Sequence, residues 1–384
     1  MSQSINGVIE RFSCCLNKDD NLEPLHSFNK FPVFMGCTKE PYENDLFFDM
    51  DWFIGQQSGL IQLKKLLPLD VLYSKSHGSG EIGKIWDQHH EAFAHFINKS
   101  KPNSILEIGG AHGVLAKNYS DLAKIDWCIV EPNPNPIKNC PAKFIKGFFD
   151  DTFTYEVPID TIVHSHVLEH IYEPIKFMGH IQSFMSLNNK LIFSLPNMKE
   201  MLLRNYTNCL NFEHTYFITE TYVEKLLNHF GFEITNKEYF MDDHSIFYET
   251  KKVSNKINPL FFKKNLYAEN KLIFNNFVSN LNIEVDRLNK YIENSSKKIF
   301  LFGAHIFSQF LISFGLNAKK IAYILDNDPN KQGRRLYGTN LIVKSPLYLK
   351  DIDSPVVILK AGIYNNEISR EIHKNINSKT TFLE

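Results

Sequence analysis

The chain has 384 residues, of which 43% are hydrophobic and 22% charged, and its formal net charge is −1. That balance excludes a protein built to neutralise nucleic-acid phosphates, and no apolar run approaches the length of a membrane span. Six cysteines in so long a chain make no disulfide framework, so the expected setting is the cytoplasm, with neither nucleic acid nor membrane as partner.

Residues 1–72 read as a small, irregular, turn-rich domain. It carries Cys14-Cys15, Cys37 and the stretch Phe31-Pro-Val-Phe-Met35, and it ends on the apolar strand Leu60-Ile-Gln-Leu63. A second domain spans 73–250. It opens on the loop Ser76-His-Gly-Ser-Gly80 and an amphipathic helix over 82–99, with Ile85, Trp86, His89, Phe93, Phe96 and Ile97 at helical spacing. Strands are then expected at 104–108, 127–131, 143–146, 160–164, 190–194 and 245–250. Helices are expected at 113–123, 136–140, 173–186 and 219–230. This alternation predicts a mainly parallel sheet with helices on both faces. Residues 251–297 form a Lys- and Asn-rich helical bridge with apolar spacing over 266–292. A smaller α/β domain, 298–384, follows. It begins Ile299-Phe-Leu-Phe-Gly-Ala304, continues with Ile321-Ala-Tyr-Ile-Leu325 and Asp326, and has a further strand at Val356-Val-Ile-Leu359.

The most informative stretch is Ser104-Ile-Leu-Glu-Ile-Gly-Gly-Ala-His-Gly113. It reads as a strand, a glycine-rich turn and a helix start, and the next strand ends on Glu131. Gly109, Gly110 and Gly113 allow close backbone approach to a ligand, and a second-strand carboxylate suits the two hydroxyls of a ribose. The order Glu-x-Gly-x-x-x-Gly, from Glu107 to Gly113, favours S-adenosylmethionine over a dinucleotide. Pro132 follows the acid. His112 either touches the amino-acid end of the cofactor or caps the helix.

The next candidate group is Ser165-His-Val-Leu-Glu-His170 at the end of the fourth strand. Ser165 or His166 is the better candidate for cofactor contact, and His170, on the acceptor side, is the better candidate base of this group and is counted with the catalytic residues. The histidines at 164, 166 and 170 invite a metal, but the spacing offers no accompanying cysteine or carboxylate set, and no metal is expected. In Asn211-Phe-Glu-His-Thr-Tyr-Phe217, His214 is the candidate general base, oriented by Glu213. Gly303, Ala304, Asp326 and Lys331 offer a second, weaker nucleotide-type turn in the last domain.

Together these segments resemble the sugar C-methyltransferases that act on nucleotide-linked 4-keto-6-deoxy sugars. Glu107-Ile-Gly-Gly-Ala-His-Gly113 is similar to that family's Glu-Ile-Gly-x-x-Asp-Gly. Val130-Glu-Pro132 is similar to its Glu-Pro-Ser, and Phe212-Glu-His214 with Tyr216-Phe217 to its Tyr-x-Glu-His motif. Asp326-Asn-Asp-Pro-Asn-Lys-Gln-Gly-Arg334 is similar to its Asp-x-x-Pro-x-Lys-Gln-Gly-Arg. The resemblance implies an α/β protein: a class I methyltransferase Rossmann-like central sheet, a zinc-binding-like N-terminal domain and a Rossmann-like C-terminal domain. It implies methyl transfer from S-adenosylmethionine to a nucleotide-linked sugar in deoxysugar or surface-glycan biosynthesis. His77, Asn211, Gly303, Ala304, Asp326 and Lys331 would be on the substrate side. Two departures stand out. Gly55-Gln-Gln-Ser58 replaces a Cys-x-x-Cys, and only the adjacent pair Cys14-Cys15 remains of the other, so no structural zinc is expected. Asn211 and Ser76 stand where the family has tyrosines, which leaves O-methylation of a hydroxyl open beside C-methylation of a ketosugar. The lost ligands also leave open a non-catalytic sugar-nucleotide-binding scaffold.

Overall fold

The computed structural model describes residues 5–73, 84–262 and 266–384. The 76–80 loop, and His77 with it, lies outside the described residues. The N-terminal segment forms an antiparallel sheet of β1 (Leu22–Pro32), β2 (Phe47–Gly55) and β3 (Ile61–Leu63). Along β2, Met50, Trp52 and Ile54 are fully buried and their neighbours point outward, the period-two pattern of a sheet with one face on a core. Nearby, the Cys14 thiol shares a hydrogen bond with Ser58 Oγ at 3.3 Å, and Cys15 N donates to Gln62 Oε1 at 2.9 Å. Burial pushes the Cys15 thiol up to about 12. Neutral hydrogen bonds therefore hold this turn.

The central domain contains α1 (Lys84–Asn98), β4 (Ser104–Ile108), α2 (Val114–Ser120), β5 (Asp126–Glu131), β6 (Lys143–Lys146) and β7 (Thr161–Ser165). It continues with α3 (Pro174–Phe184), β8 (Lys190–Pro196), α4 (Glu220–His229), β9 (Phe232–Phe240) and β10 (Ser245–Lys252). The seven strands run in the order β9-β10-β8-β7-β4-β5-β6. All neighbours are parallel except β10, which is antiparallel to both β8 and β9. This is the class I methyltransferase fold. Chain order reverses between β4 and β7, so the crevice beyond their carboxyl ends is where such a sheet binds ligands.

Two expectations need correction. The helix expected at 136–140 is a turn, because Pro134, Pro136 and Pro141 remove amide donors and keep their predecessors out of helical backbone. The expected strands also lacked the nine-residue β9, which pairs antiparallel with β10 at the sheet edge.

The helix α5 (Leu266–Asn294) joins the halves. Leu266, Asn270, Phe274, Phe277, Leu281, Val285, Leu288 and Ile292 recur every three or four residues and form one buried stripe. Its first half packs into the core shared by the N-terminal and central domains, its second half into the C-terminal core. The last domain holds β11 (Ile299–Phe302), α6 (Ile306–Ser313), β12 (Ile321–Leu325), β13 (Val343–Lys344), β14 (Val356–Leu359), α7 (Asn365–Asn375) and β15 (Thr381–Leu383). Its sheet is wholly parallel, in the order β13-β12-β11-β14-β15. Among the described residues no helix is long and apolar enough to cross a membrane.

The N-terminal segment also grips the C-terminal domain. Cys37–Thr38 pairs antiparallel with Arg335–Leu336. Arg335 makes a two-pronged pair with Asp45, at 2.6 and 2.7 Å, with 8% and 1% of the two side chains exposed. Removing one member of so dry a pair strands the other charge. Asp45→Asn should lower unfolding stability by about 3 kcal/mol, read by urea denaturation.

Candidate active site

A cleft of about 1620 Å³ lies between the central and C-terminal domains. Roughly 300–1,000 Å³ holds one drug-sized ligand, so this cleft has room for two.

The first wall is the glycine turn after β4. Gly109, Ala111, His112, Glu131 and Pro132 face the cleft. Gly109 has φ +73, and a Cβ there would meet Val167 Cγ2 at 2.8 Å. Glu131 holds the turn from the end of β5: Oε2 accepts Ala111 N–H at 3.1 Å and Oε1 accepts Asn133 N–H at 3.0 Å. His112 is anchored through Nδ1 to the Asn135 carbonyl at 2.8 Å. Glu107, expected to hold cofactor, sits elsewhere. It is 2% exposed, accepts Trp127 Nε1–H at 2.8 Å and lies directly beneath Gly110. Its carboxylate props the turn from below. Gly110, Gly113 and Ser165 also stand behind the cleft surface.

The second wall is assembled from two segments distant in sequence, 165–172 and 209–217. Backbone and side-chain bonds lace them together: Thr215 N–H to Glu169 O at 3.0 Å, Thr215 Oγ1 to Ile171 O at 2.9 Å, and Tyr216 OH to Leu168 O at 2.6 Å. This brings the rings of His170 and His214 to 5.0 Å between centroids. Asn211 caps the turn that carries the pair, its Oδ1 accepting the amides of Glu213 and His214, each at 2.8 Å. Asparagine can do this and tyrosine cannot. His214 is oriented by the Cys209 carbonyl, at 2.8 Å from Nδ1, rather than by Glu213. The Glu213 carboxylate stands instead 3.8 Å from His170 Nδ1.

Two residues of this wall escaped the sequence reading. Tyr73 brings its hydroxyl to 3.4 Å from His170 Nδ1, and burial raises that phenol well above its usual value, so it is neutral. Glu169 is fully buried, with Oε1 3.3 Å from His166 Nδ1 and 3.8 Å from His170 Nε2. Burial raises the Glu169 carboxyl and lowers His214, the latter against the pull of Glu169. The signal for Glu169 was local: it is the single acid in Ser165–Ile171. His166 adopts φ +53, a backbone that costs about 1–2 kcal/mol for a non-glycine residue, and its Nε2 meets Ser245 Oγ at 3.0 Å. His164 lies in the core, fully buried and stacked on Phe193. Among the described residues two groups converge closely enough to share an ion, His89 with His166 and His244, and Glu169 with His170 and His214.

The third wall repeats the construction of the first. Asp326, at the end of β12, accepts the amide of Ala304 at 2.8 Å and that of Asp328 at 2.9 Å, and Lys331 Nζ lies 3.2 Å from it. Gly303, Asp326 and Lys331 line the cleft, while Ala304 is fully buried behind them.

Residues 82–237 match the family model of a methyltransferase domain, and residues 263–383 that of a C-methyltransferase C-terminal domain. The chain is an S-adenosylmethionine-dependent methyltransferase. No curated protein matches its sequence. Among solved structures, a magnesium protoporphyrin IX methyltransferase from Synechocystis PCC 6803 is 14% identical with a TM-score of 0.35, covering 47% of this chain and 92% of its own. Human N-acetylserotonin methyltransferase is 16% identical with a TM-score of 0.38, covering 44% of this chain and 53% of its own. An N-methyltransferase from Bradyrhizobium japonicum WM9 is 13% identical with a TM-score of 0.35, covering 45% of this chain and 99% of its own.

The methyltransferase cleft fits its cofactor. The absent Cβ of Gly109 leaves the turn pressed against Val167 with open backbone toward the cleft. Each oxygen of Glu131 accepts one amide in the described bonds and keeps a lone pair for a ribose hydroxyl. In Gly109→Ala the added methyl must displace Val167 in a left-handed backbone. A loss of about 1.4 kcal/mol in binding is expected, and S-adenosylhomocysteine should bind about tenfold more weakly by calorimetry.

Proposed function

We propose that this methyltransferase acts on a sugar carried by a nucleotide, in deoxysugar or surface-glycan biosynthesis, and methylates a carbon beside a ketone. One observation carries the reading: a single cleft has the cofactor turn on one wall and a second strand-end turn, Gly303 with Asp326 and Lys331, on the other. The C-methyltransferase C-terminal domain match supports carbon as the acceptor.

Gly109, Ala111, His112, Glu131 and His166 would hold S-adenosylmethionine, which supplies an electrophilic methyl group when bound. The acceptor needs a proton removed from the carbon beside its carbonyl. Glu213 lines the cleft and is the carboxylate we assign to take it. His170 steadies Glu213 through Nδ1, and the neutral Tyr73 phenol stands beside the same nitrogen to donate to an enolate oxygen. Asn211 fixes the turn that carries Glu213. Phe34 and Met35 of the N-terminal segment also line the cleft.

The test is transfer of labelled methyl from the cofactor to a nucleotide-linked 4-keto-6-deoxy sugar, and transfer to no sugar nucleotide would leave the scaffold reading standing. Exchange of the acceptor's α-proton with deuterated water in the absence of cofactor should be seen, and its absence alongside turnover would point to a hydroxyl acceptor instead. Glu213→Gln should lower turnover by roughly 10²–10⁴-fold while S-adenosylhomocysteine binding stays unchanged. Unchanged turnover would remove Glu213 from the role of base.

A further inference from the structure

Glu169 is a carboxylate in an unusual position. It is fully buried, and among the described residues neither of its oxygens accepts a hydrogen bond. Buried carboxylates are ordinarily satisfied by donors. The groups nearest to it are nitrogens: His166 Nδ1 lies 3.3 Å from Oε1 without the geometry of a hydrogen bond, and an atom of His170 and one of His214 lie with a Glu169 oxygen so that all three are within 4.8 Å of one another. The state of His214 follows from its partner. The Cys209 carbonyl can only accept, so Nδ1 carries the proton and Nε2 is left with a lone pair. His170 directs Nδ1 toward Tyr73 and Glu213, which leaves Nε2 on the side of Glu169, 3.8 Å from Oε1. The site therefore gathers a carboxylate and imidazole nitrogens around one point, with outer partners already orienting both rings. That outer shell is what fixes the rings of metal-binding histidines.

We propose that Glu169, His170 and His214 bind a divalent transition cation, whose remaining positions face the cleft and take the oxygen of the acceptor. Two histidines and one carboxylate, with positions left open, form a donor set for zinc, manganese or ferrous iron rather than for calcium. A cation here answers the unmet oxygens of Glu169. It would also polarise the acceptor's carbonyl beside Glu213, which remains outside the ligand set as the proton acceptor. The other convergent group, His89 with His166 and His244, makes a poorer case. Ser194 and Ser245 hydroxyls already bond one nitrogen of each of its rings, at 2.7 to 3.0 Å. The role of the cation rests on the methyl-transfer reading, but its binding does not.

The experiment titrates metal-stripped, full-length protein with Mn²⁺ and with Zn²⁺, without cofactor, by calorimetry and by the Mn²⁺ resonance spectrum. One equivalent should bind at micromolar metal, and binding should be lost in Glu169→Gln and kept in His89→Ala. Should Glu169→Gln fail to fold, His170→Ala carries the same comparison. No binding by folded wild-type protein overturns the proposal, as does binding that survives in Glu169→Gln and vanishes in His89→Ala. Full turnover by metal-stripped enzyme overturns the catalytic role. S-adenosylhomocysteine titrated into the same samples separates the two readings. Cofactor binding without metal binding sinks the cation alone, and metal binding without cofactor binding sinks methyl transfer alone.

Discussion

The pair between Arg335 and Asp45 is the constraint on which the cleft depends. It joins the C-terminal domain to a segment that is itself fastened to the central domain. Around it the Arg335–Leu336 pairing with Cys37–Thr38 extends the contact, and Gln309 Nε2 donates to the carbonyls of Phe34 and Tyr337 at 2.9 Å. On the other side Arg11 reaches the carbonyls of Thr215 and Tyr172 at 2.6 and 2.7 Å, and Leu63 N–H bonds the same Thr215 carbonyl at 3.0 Å. Thr215 directly follows His214, so one clamp sets both the separation of the cleft walls and the placement of the histidine wall. Its own integrity rests on Cys14, Ser58 and Gln62, hydrogen-bonded groups in a dry turn.

The chemistry of the site arises from unequal satisfaction of polar groups. Most of the wall is fully bonded: Thr215, Tyr216 and Asn211 spend their donors and acceptors on backbone, which makes the segment stiff. Glu169 is brought into the core with neither oxygen accepting a hydrogen bond among the described residues. Burying a polar group unmatched costs on the order of 1–3 kcal/mol, so the surrounding ladder of bonds has to hold it there. The left-handed backbone at His166 adds to that cost at the same corner. Strain and unmet polarity gather where β7 ends, beside the sheet's crossover point.

Features written in contiguous residues were legible in the sequence. The glycine turn, the strand that precedes it and the acid ending the next strand all read directly, because period, glycine placement and strand ends are local. So was the stripe of α5. The convergence of Glu169 with His214 was not, because it depends on which carbonyl each ring faces after two distant segments are laced together. The assignment of Glu213 to His214 failed for the same reason: the carbonyl of Cys209 captured the His214 ring, and the Glu213 carboxylate stands beside His170 instead. Glu107 shows the converse. Its position in the motif is the expected one, yet Trp127 supplies an indole donor below the turn and draws the carboxylate inward.

The two strand-end turns share one construction and differ in what they leave available. In each, a carboxylate at the end of one strand accepts an amide from the glycine turn after its neighbour, Glu131 from Ala111 and Asp326 from Ala304. Glu131 spends one lone pair on each oxygen in these bonds, which leaves a negatively charged group with room for two hydroxyl donors. Asp326 takes two amides and also has Lys331 3.2 Å away, so its charge is largely balanced and its acceptor capacity nearly spent. A ribose diol is therefore better served at the first turn. The second offers a nearly neutral floor with a lysine at its edge and open space above Gly303, where a Cβ would meet nothing within 4 Å. That space is the side of the cleft open to a ligand larger than the cofactor's own sugar. Under the proposed function that asymmetry would order the cleft, with adenosine on the central domain, the acceptor's carrier on the C-terminal one, and the histidine wall lining the same cleft.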